Sequence, residues 1–170
     1  MKVVQLRFDS RLIHGQVVSF WTNDLSLSRI MVVGDHIVES KLQKEMLKVS
    51  CPSSCKLSIL RVQTAIKNLL ERKYEGDRIL VIVDDFTVMN QLLTAPGINE
   101  IIKNINIGNV STGNDKIMVT KSIYLNKSDY EVLCGVDKMG YNLFAQMVPN
   151  NSRVNIMNEL MEKAKENKWN

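Results

Sequence analysis

The sequence predicts an α/β protein built on an open, mainly parallel sheet with helices on both faces. Three observations lead there. Short apolar runs rich in β-branched residues recur along the chain. Segments with apolar residues at helical spacing separate them. The length, 170 residues, suits one domain around one sizeable core.

Taken in order, residues 3–8 form the first apolar run. The segment after it carries Ile13, Val17, Trp21 and Leu25 four apart, with Val18 beside them, which gives a helix one apolar face. Residues 29–33 are the second strand, and Leu42, Met46 and Val49 mark the helix that follows. Residues 56–60 are the third, followed by a helix carrying Ala65, Ile66, Leu69 and Leu70. Residues 78–83 are the most apolar run, and Val88, Leu92 and Leu93 indicate a short helix behind it. Residues 101–107 and 116–120 are weaker strands, and 143–148 is a late one. Asn126, Lys127, Ser128 and Asp129 supply cap residues ahead of a helix with Tyr130, Leu133 and Cys134. Ile156, Leu160 and Ala164 stripe a C-terminal helix whose Asn- and Lys-rich end is expected to fray. The Pro96-Gly97 pair reads as a turn. No repeat, linker or low-complexity tract interrupts the pattern, so residues 1–170 are read as a single domain.

Composition narrows the function. Hydrophobic residues make up 45% and charged residues 24%, ordinary for a globular chain, and at 6% aromatics the core must be mostly aliphatic. The net charge of +4 suits an acidic protein face, a phosphate group, an anionic membrane face or nucleic acid. No run of like charges argues for nucleic acid, and none is expected as a partner. No stretch approaches the roughly 20 apolar residues that cross a bilayer. The N-terminus reads as a strand, not a signal peptide, so a cytoplasmic location is expected. The 3 cysteines, Cys51, Cys55 and Cys134, argue against a disulfide framework. Cys51 and Cys55 lack a second ligand pair and read as unrelated loop thiols, so no metal is expected. Neither a phosphate-loop nor a dinucleotide glycine pattern is present, which leaves nucleotide binding unsupported.

In such a fold, ligands bind outside the carboxyl ends of the strands. The first loop at that edge is Arg7-Phe8-Asp9-Ser10-Arg11-Leu12-Ile13-His14-Gly15-Gln16, with one of the chain's 2 histidines. An imidazole, with an ordinary pKa of about 6.5, is a good nucleophile near neutrality. Arg7 and Arg11 stay cationic and suit phosphate oxygens. A helix starting near His14 would aim the free amides of Gly15, Gln16 and Val17 at the same place, and a helix N-terminus attracts anions. Gly15 lets backbone approach closely. Asp9 either orients the imidazole or braces an arginine. Together these groups suit a phosphoryl acceptor, since such transfer needs mainly positioning and charge stabilisation.

The stretch from Arg7 to Val18, followed by Trp21, resembles the signature of the IIB component of the mannose–fructose–sorbose family of bacterial sugar phosphotransferase systems, departing only at Phe8. Ile30-Met31-Val32-Val33-Gly34-Asp35 is similar to that family's second strand and following acid. Ile105-Asn106-Ile107-Gly108 is similar to its Asn-Val-Gly segment, with Asn109 where a second glycine is common. Ser122-Ile123-Tyr124-Leu125, followed by Asp129, fits its later strand and helix start. The resemblance implies an open, mainly parallel sheet with one antiparallel edge strand. It implies that His14 accepts a phosphoryl group from a phosphorylated IIA protein and passes it to a sugar delivered by membrane-embedded IIC and IID partners. No cofactor is implied, and a homo-oligomer is compatible with the chain. The alternative is a regulatory phosphoprotein of the same fold that never engages a transporter, although nothing in the chain resembles an attached regulatory module.

Other residues are weighed against that site. Asp35 is expected to anchor Arg7 or Arg11 by a charged hydrogen bond. Asp84 and Asp85 close the fourth strand and are read as a helix cap or an arginine brace. Gly108 is a supporting position. Thr87 is a minor hydrogen-bond donor, His36 reads as a solvated loop residue, and Trp21 as core.

Overall fold

The computed structural model describes residues 1–169. Eight strands alternate with helices: β1 (Lys2–Asp9), β2 (Arg29–Val33), β3 (Lys56–Leu60), β4 (Arg78–Val83), β5 (Asn104–Asn109), β6 (Ile117–Thr120), β7 (Ile123–Leu125) and β8 (Asn142–Ala145). The helices are α1 (Gly15–Asp24), α2 (Asp35–Glu39), α3 (Lys41–Ser50), α4 (Val62–Leu70), α5 (Phe86–Leu93), α6 (Ile98–Ile101), α7 (Lys127–Lys138) and α8 (Ile156–Glu166). Six strands form one parallel sheet in the order β3-β2-β4-β1-β5-β8. The expected α/β class is therefore present. Antiparallel pairing appears in the β6–β7 ribbon and in a single bridge, Ala145 to Val154, beyond β8 at the sheet edge. Residues 116–120, expected as a weak strand, belong to that ribbon rather than to the main sheet.

Strand alternation sorts the side chains into two cores. Leu6, Phe8, Met31, Val33, Ile79, Val81, Val83, Ile105 and Ile107 face the layer of α4, α5, α7 and α8. Ile30, Val32, Leu80 and Ile82 face α1, α2 and α3. Phe8, the departure from the family signature, stacks on Phe86 with ring centroids 4.1 Å apart, so the aromatic swap has a local partner. The expected cap at Asn126 is a full capping box with Asp129, an arrangement that stabilises a helix start by about 1 kcal/mol. The expected turn at Pro96-Gly97 puts Gly97 in the left-handed region, at φ 83°, where it opens α6.

One helix is turned the other way from its pattern. Leu47 is the buried apolar residue of α3, while Leu42, Met46 and Val49 point outward. Two short helices, α2 and α6, were not legible in the pattern.

The chain leaves β1 through α1 towards β2 on one side of the sheet, and it leaves β5 for β8 on the other. Adjacent strands with diverging exits create a crevice at their carboxyl ends. The loops after β1, β5 and β8 meet there.

Candidate functional site

The sequence alternation of β1 puts Gln5, Arg7 and Asp9 on the α1 side of the sheet, and all three are buried. Arg7 is 1% exposed. Its Nη2 donates to Asp9 Oδ2 at 2.8 Å and its Nε to the same oxygen at 3.3 Å. Its Nη1 donates to the carbonyl of Gln146 at 2.9 Å, and Nη2 also to that of Met147 at 3.1 Å. The Trp21 ring lies 5.5 Å from its guanidinium carbon. Burial pulls the Arg7 guanidinium below its ordinary value while the Asp9 carboxylate pulls it back up, and an arginine stays cationic throughout.

Arg11 holds the outer side of the same carboxylate. Its backbone amide and its Nε both donate to Asp9 Oδ1 at 3.1 Å, and its Nη2 to Oδ2 at 3.3 Å. Its side chain is 32% exposed. Asp9 thus braces both arginines, which decides between the two roles open to it from sequence. Beyond Arg11 the chain turns with Leu12 in the left-handed region, at φ 56°. Leu12 and Ile13 are buried in the apolar cluster beneath α1 and α3. These two anchors fix the loop, and the next residue, His14, is exposed at the N-cap of α1. Gly15 follows with a positive φ of 32°. The amides of Gly15 and Gln16 have no backbone acceptor among the described residues, whereas the Val17 amide donates to the His14 carbonyl at 3.0 Å. The free donors at this helix start therefore belong to Gly15 and Gln16, and Val17 is removed from the expected set.

Four further expectations change. Arg7 presents no donor outward, because its guanidinium is engaged by Asp9 and the post-β8 loop; it positions the site rather than reaching an anion. Asp35 anchors neither arginine of the loop: it accepts from the Val62 amide at 2.9 Å, at the start of α4, and lies 3.6 Å from Arg61. His36 is not merely solvated, since its Nε2 lies 3.1 Å from Asp84 Oδ2. Asp84 braces that histidine and no arginine, and its other oxygen is buried without a partner among the described residues. Asp85 is the expected cap, accepting from Val88 N at 3.0 Å. Gly108 supports the site by making room: a Cβ there would overlap the Arg7 guanidinium. The backbone of Asn109, where the family often has glycine, accepts from Ser10 N at 2.9 Å.

Sequence reasoning missed Met147. Its carbonyl accepts from both Arg7 and the Trp21 indole N–H, the latter at 3.2 Å, and its sulfur lies 3.6 Å from Arg11 Nη2. A lone methionine after the last strand carries no motif; only its place at the same sheet edge pointed to it. Ser10 was also overlooked: its hydroxyl accepts from Ser111 N at 3.0 Å and ties the post-β5 loop to the His14 loop.

No group of three or more His, Cys, Asp or Glu suited to a metal ion occurs among the described residues. Burial, with Cys55 adding to it, pushes the Cys51 thiol up, which disfavours the reactive thiolate. No helix is long and apolar enough to cross a membrane among the described residues.

A family model described as the PTS system sorbose subfamily IIB component matches residues 3–170. The chain is 26% identical over 164 residues to a PTS system sorbose-specific EIIB component of Klebsiella pneumoniae, covering 96% of this chain and 98% of that one. It is 27% identical over 152 residues to a PTS system fructose-specific EIIB component of Bacillus subtilis, covering 89% and 91%. The crystal structure of the IIBSor domain of the Klebsiella pneumoniae sorbose permease shares the fold, with a TM-score of 0.89 at 23% identity over 96% of this chain and 99% of that one.

Proposed function

Since this chain belongs to the sorbose-subfamily IIB components of the sugar phosphotransferase system, we propose that His14 is the residue that carries the phosphoryl group between a IIA donor and the sugar. The observation that carries this reading is the exposed His14 at the start of α1, followed by two unengaged amides and three residues after an arginine locked in place by a buried acid.

In the first half-reaction the P–N bond of the donor's phosphohistidine breaks as a P–N bond to an unprotonated His14 nitrogen forms. The group on His14 then lies over the positive end of α1, where the Gly15 and Gln16 amides supply donors. Arg11 supplies the cationic charge from the rim, and Arg7 and Asp9 hold it in register from below. In the second half-reaction a sugar hydroxyl attacks phosphorus as the P–N bond to His14 breaks, and the proton lost by the hydroxyl is made up on the released imidazole, which returns neutral. The IIC and IID partners present that sugar, with this chain docked on their cytoplasmic side.

Membranes containing IIC and IID, supplied with phosphorylated chain, test the transport role. Formation of sugar phosphate at the expense of the labelled chain is the expected result. A chain that takes up the label yet yields no sugar phosphate with its own membrane partners would mean a regulatory phosphoprotein instead.

A further inference from the structure

The three most exposed large apolar side chains among the described residues all sit on α3: Val49 at 88%, Leu42 at 72% and Met46 at 60%. Spacings of four and three place them on one helix face. Single exposed apolar residues are ordinary, but a cluster on one face marks a contact surface. The face adjoins the His14 loop directly, because Gln43, Met46 and Ser50 share a cavity of about 170 Å³ with Ser10, Arg11 and Ile13. The helix is also basic. Lys41 and Lys44 have no ion pair among the described residues, and the one acid, Glu45, is held by Lys48 at 2.7 Å.

We propose that this face of α3 docks the phosphoryl-donor protein, a partner that presents apolar side chains ringed by carboxylates. The proposal rests on His14 being the acceptor. The donor histidine must come within bonding reach of His14, so the donor covers that loop and whatever borders it. A specific interface buries about 800 Å² on each partner, more than a five-residue loop supplies, and α3 is the apolar surface that continues it. Charge points the same way, since unpaired lysines beside an exposed apolar stripe favour an acidic rim on the partner. A bilayer would also take such a helix, but it carries no phosphoryl group and gives no reason for the stripe to border the reacting loop.

The test is the initial rate of phosphoryl uptake at varied concentrations of phosphorylated IIA, for the wild type, the Leu42→Ser/Val49→Ser double variant, and Met161→Ser on α8 as a control. These side chains are exposed, so the thermal midpoint should not move. The double variant should lose about tenfold or more in kcat/KM, carried by KM, as expected for apolar contact residues, with the saturating rate within about twofold of wild type; the control should match wild type. An unchanged kcat/KM in the double variant overturns the proposal. So does unchanged uptake together with loss of vesicle binding or of self-association, which would assign the face to a bilayer or to a second copy. Absence of any label on wild-type His14 is a different failure, that of the acceptor reading. Titrating IIA into the His14→Ala chain, with and without the α3 changes, then still decides the docking face: equal affinities overturn it.

Discussion

The Arg7 guanidinium occupies the space in which a side chain at Gly108 would begin. β1 and β5 are neighbours, with Arg7 opposite Asn106, so Arg7 leans along the sheet to the backbone at the end of β5 and on to the post-β8 carbonyls. Gly108→Ala should therefore displace a buried charge from its acceptors, costing about 1–3 kcal/mol as an overpacked site. A urea midpoint measures it. Gly135, inside α7 with open space where a Cβ would go, is the contrast: Gly135→Ala should gain about 0.5–1 kcal/mol.

The two site arginines should separate stability from transfer. Arg7→Ala leaves the buried Asp9 with one cation fewer, and breaking a buried pair costs about 3–5 kcal/mol. Arg11→Gln, at the rim, leaves Arg7 and the residue-11 backbone amide on Asp9, so it should cost less, about 1 kcal/mol for the hydrogen bonds lost, while slowing phosphoryl uptake by about 10²-fold, the effect of losing a preorganised charge donor. Melting curves and rapid-quench labelling of both variants measure the two effects.

Trp21→Phe keeps an aromatic ring under Arg7 but removes the indole donor to the Met147 carbonyl. The expected cost is about 0.5–1.5 kcal/mol for one hydrogen bond. Faster amide exchange should be confined to residues 147–153, which hydrogen-exchange mass spectrometry resolves.

Acid stability should report on Asp77, at the amino-terminal end of the strands, opposite the site. Burial pushes its carboxyl up, but hydrogen bonds from Arg29 and Ser28 and the charges of Arg29 and Lys56 outweigh it and hold it below its ordinary value. A depressed folded value means the contribution is complete above the unfolded pKa, about 3.9, and is lost as pH falls through the folded one. Asp77→Asn should lower the thermal midpoint at pH 7, with the gap to wild type closing below about pH 4.

Much of this was written in the sequence because it is local. The β1 run, its alternation and the helix spacing after it placed His14 at a strand-to-helix turn, and the signature from Arg7 to Val18 carried the family. What the pattern did not reveal depends on long-range contact. Arg7 looks like any phosphate-binding arginine until carbonyls more than a hundred residues away take up its donors. Gly108 reads as a loop glycine until the guanidinium beside it is seen. Leu42, Met46 and Val49 have the spacing of a buried stripe, yet Leu47 takes the core position and the stripe faces out. Periodicity states that a helix has an apolar face, and neighbours decide which way the face turns.

The phosphoryl group on His14 can be weighed directly. Purified chain would be incubated with phosphoenolpyruvate, the general phosphotransferase proteins and IIA from the same source, and its intact mass followed beside His14→Ala. One acid-labile phosphoryl group is expected on the wild type and none on the variant. A wild type that stays unlabelled while IIA is phosphorylated, or a His14→Ala chain that labels equally well, would contradict His14 as the acceptor.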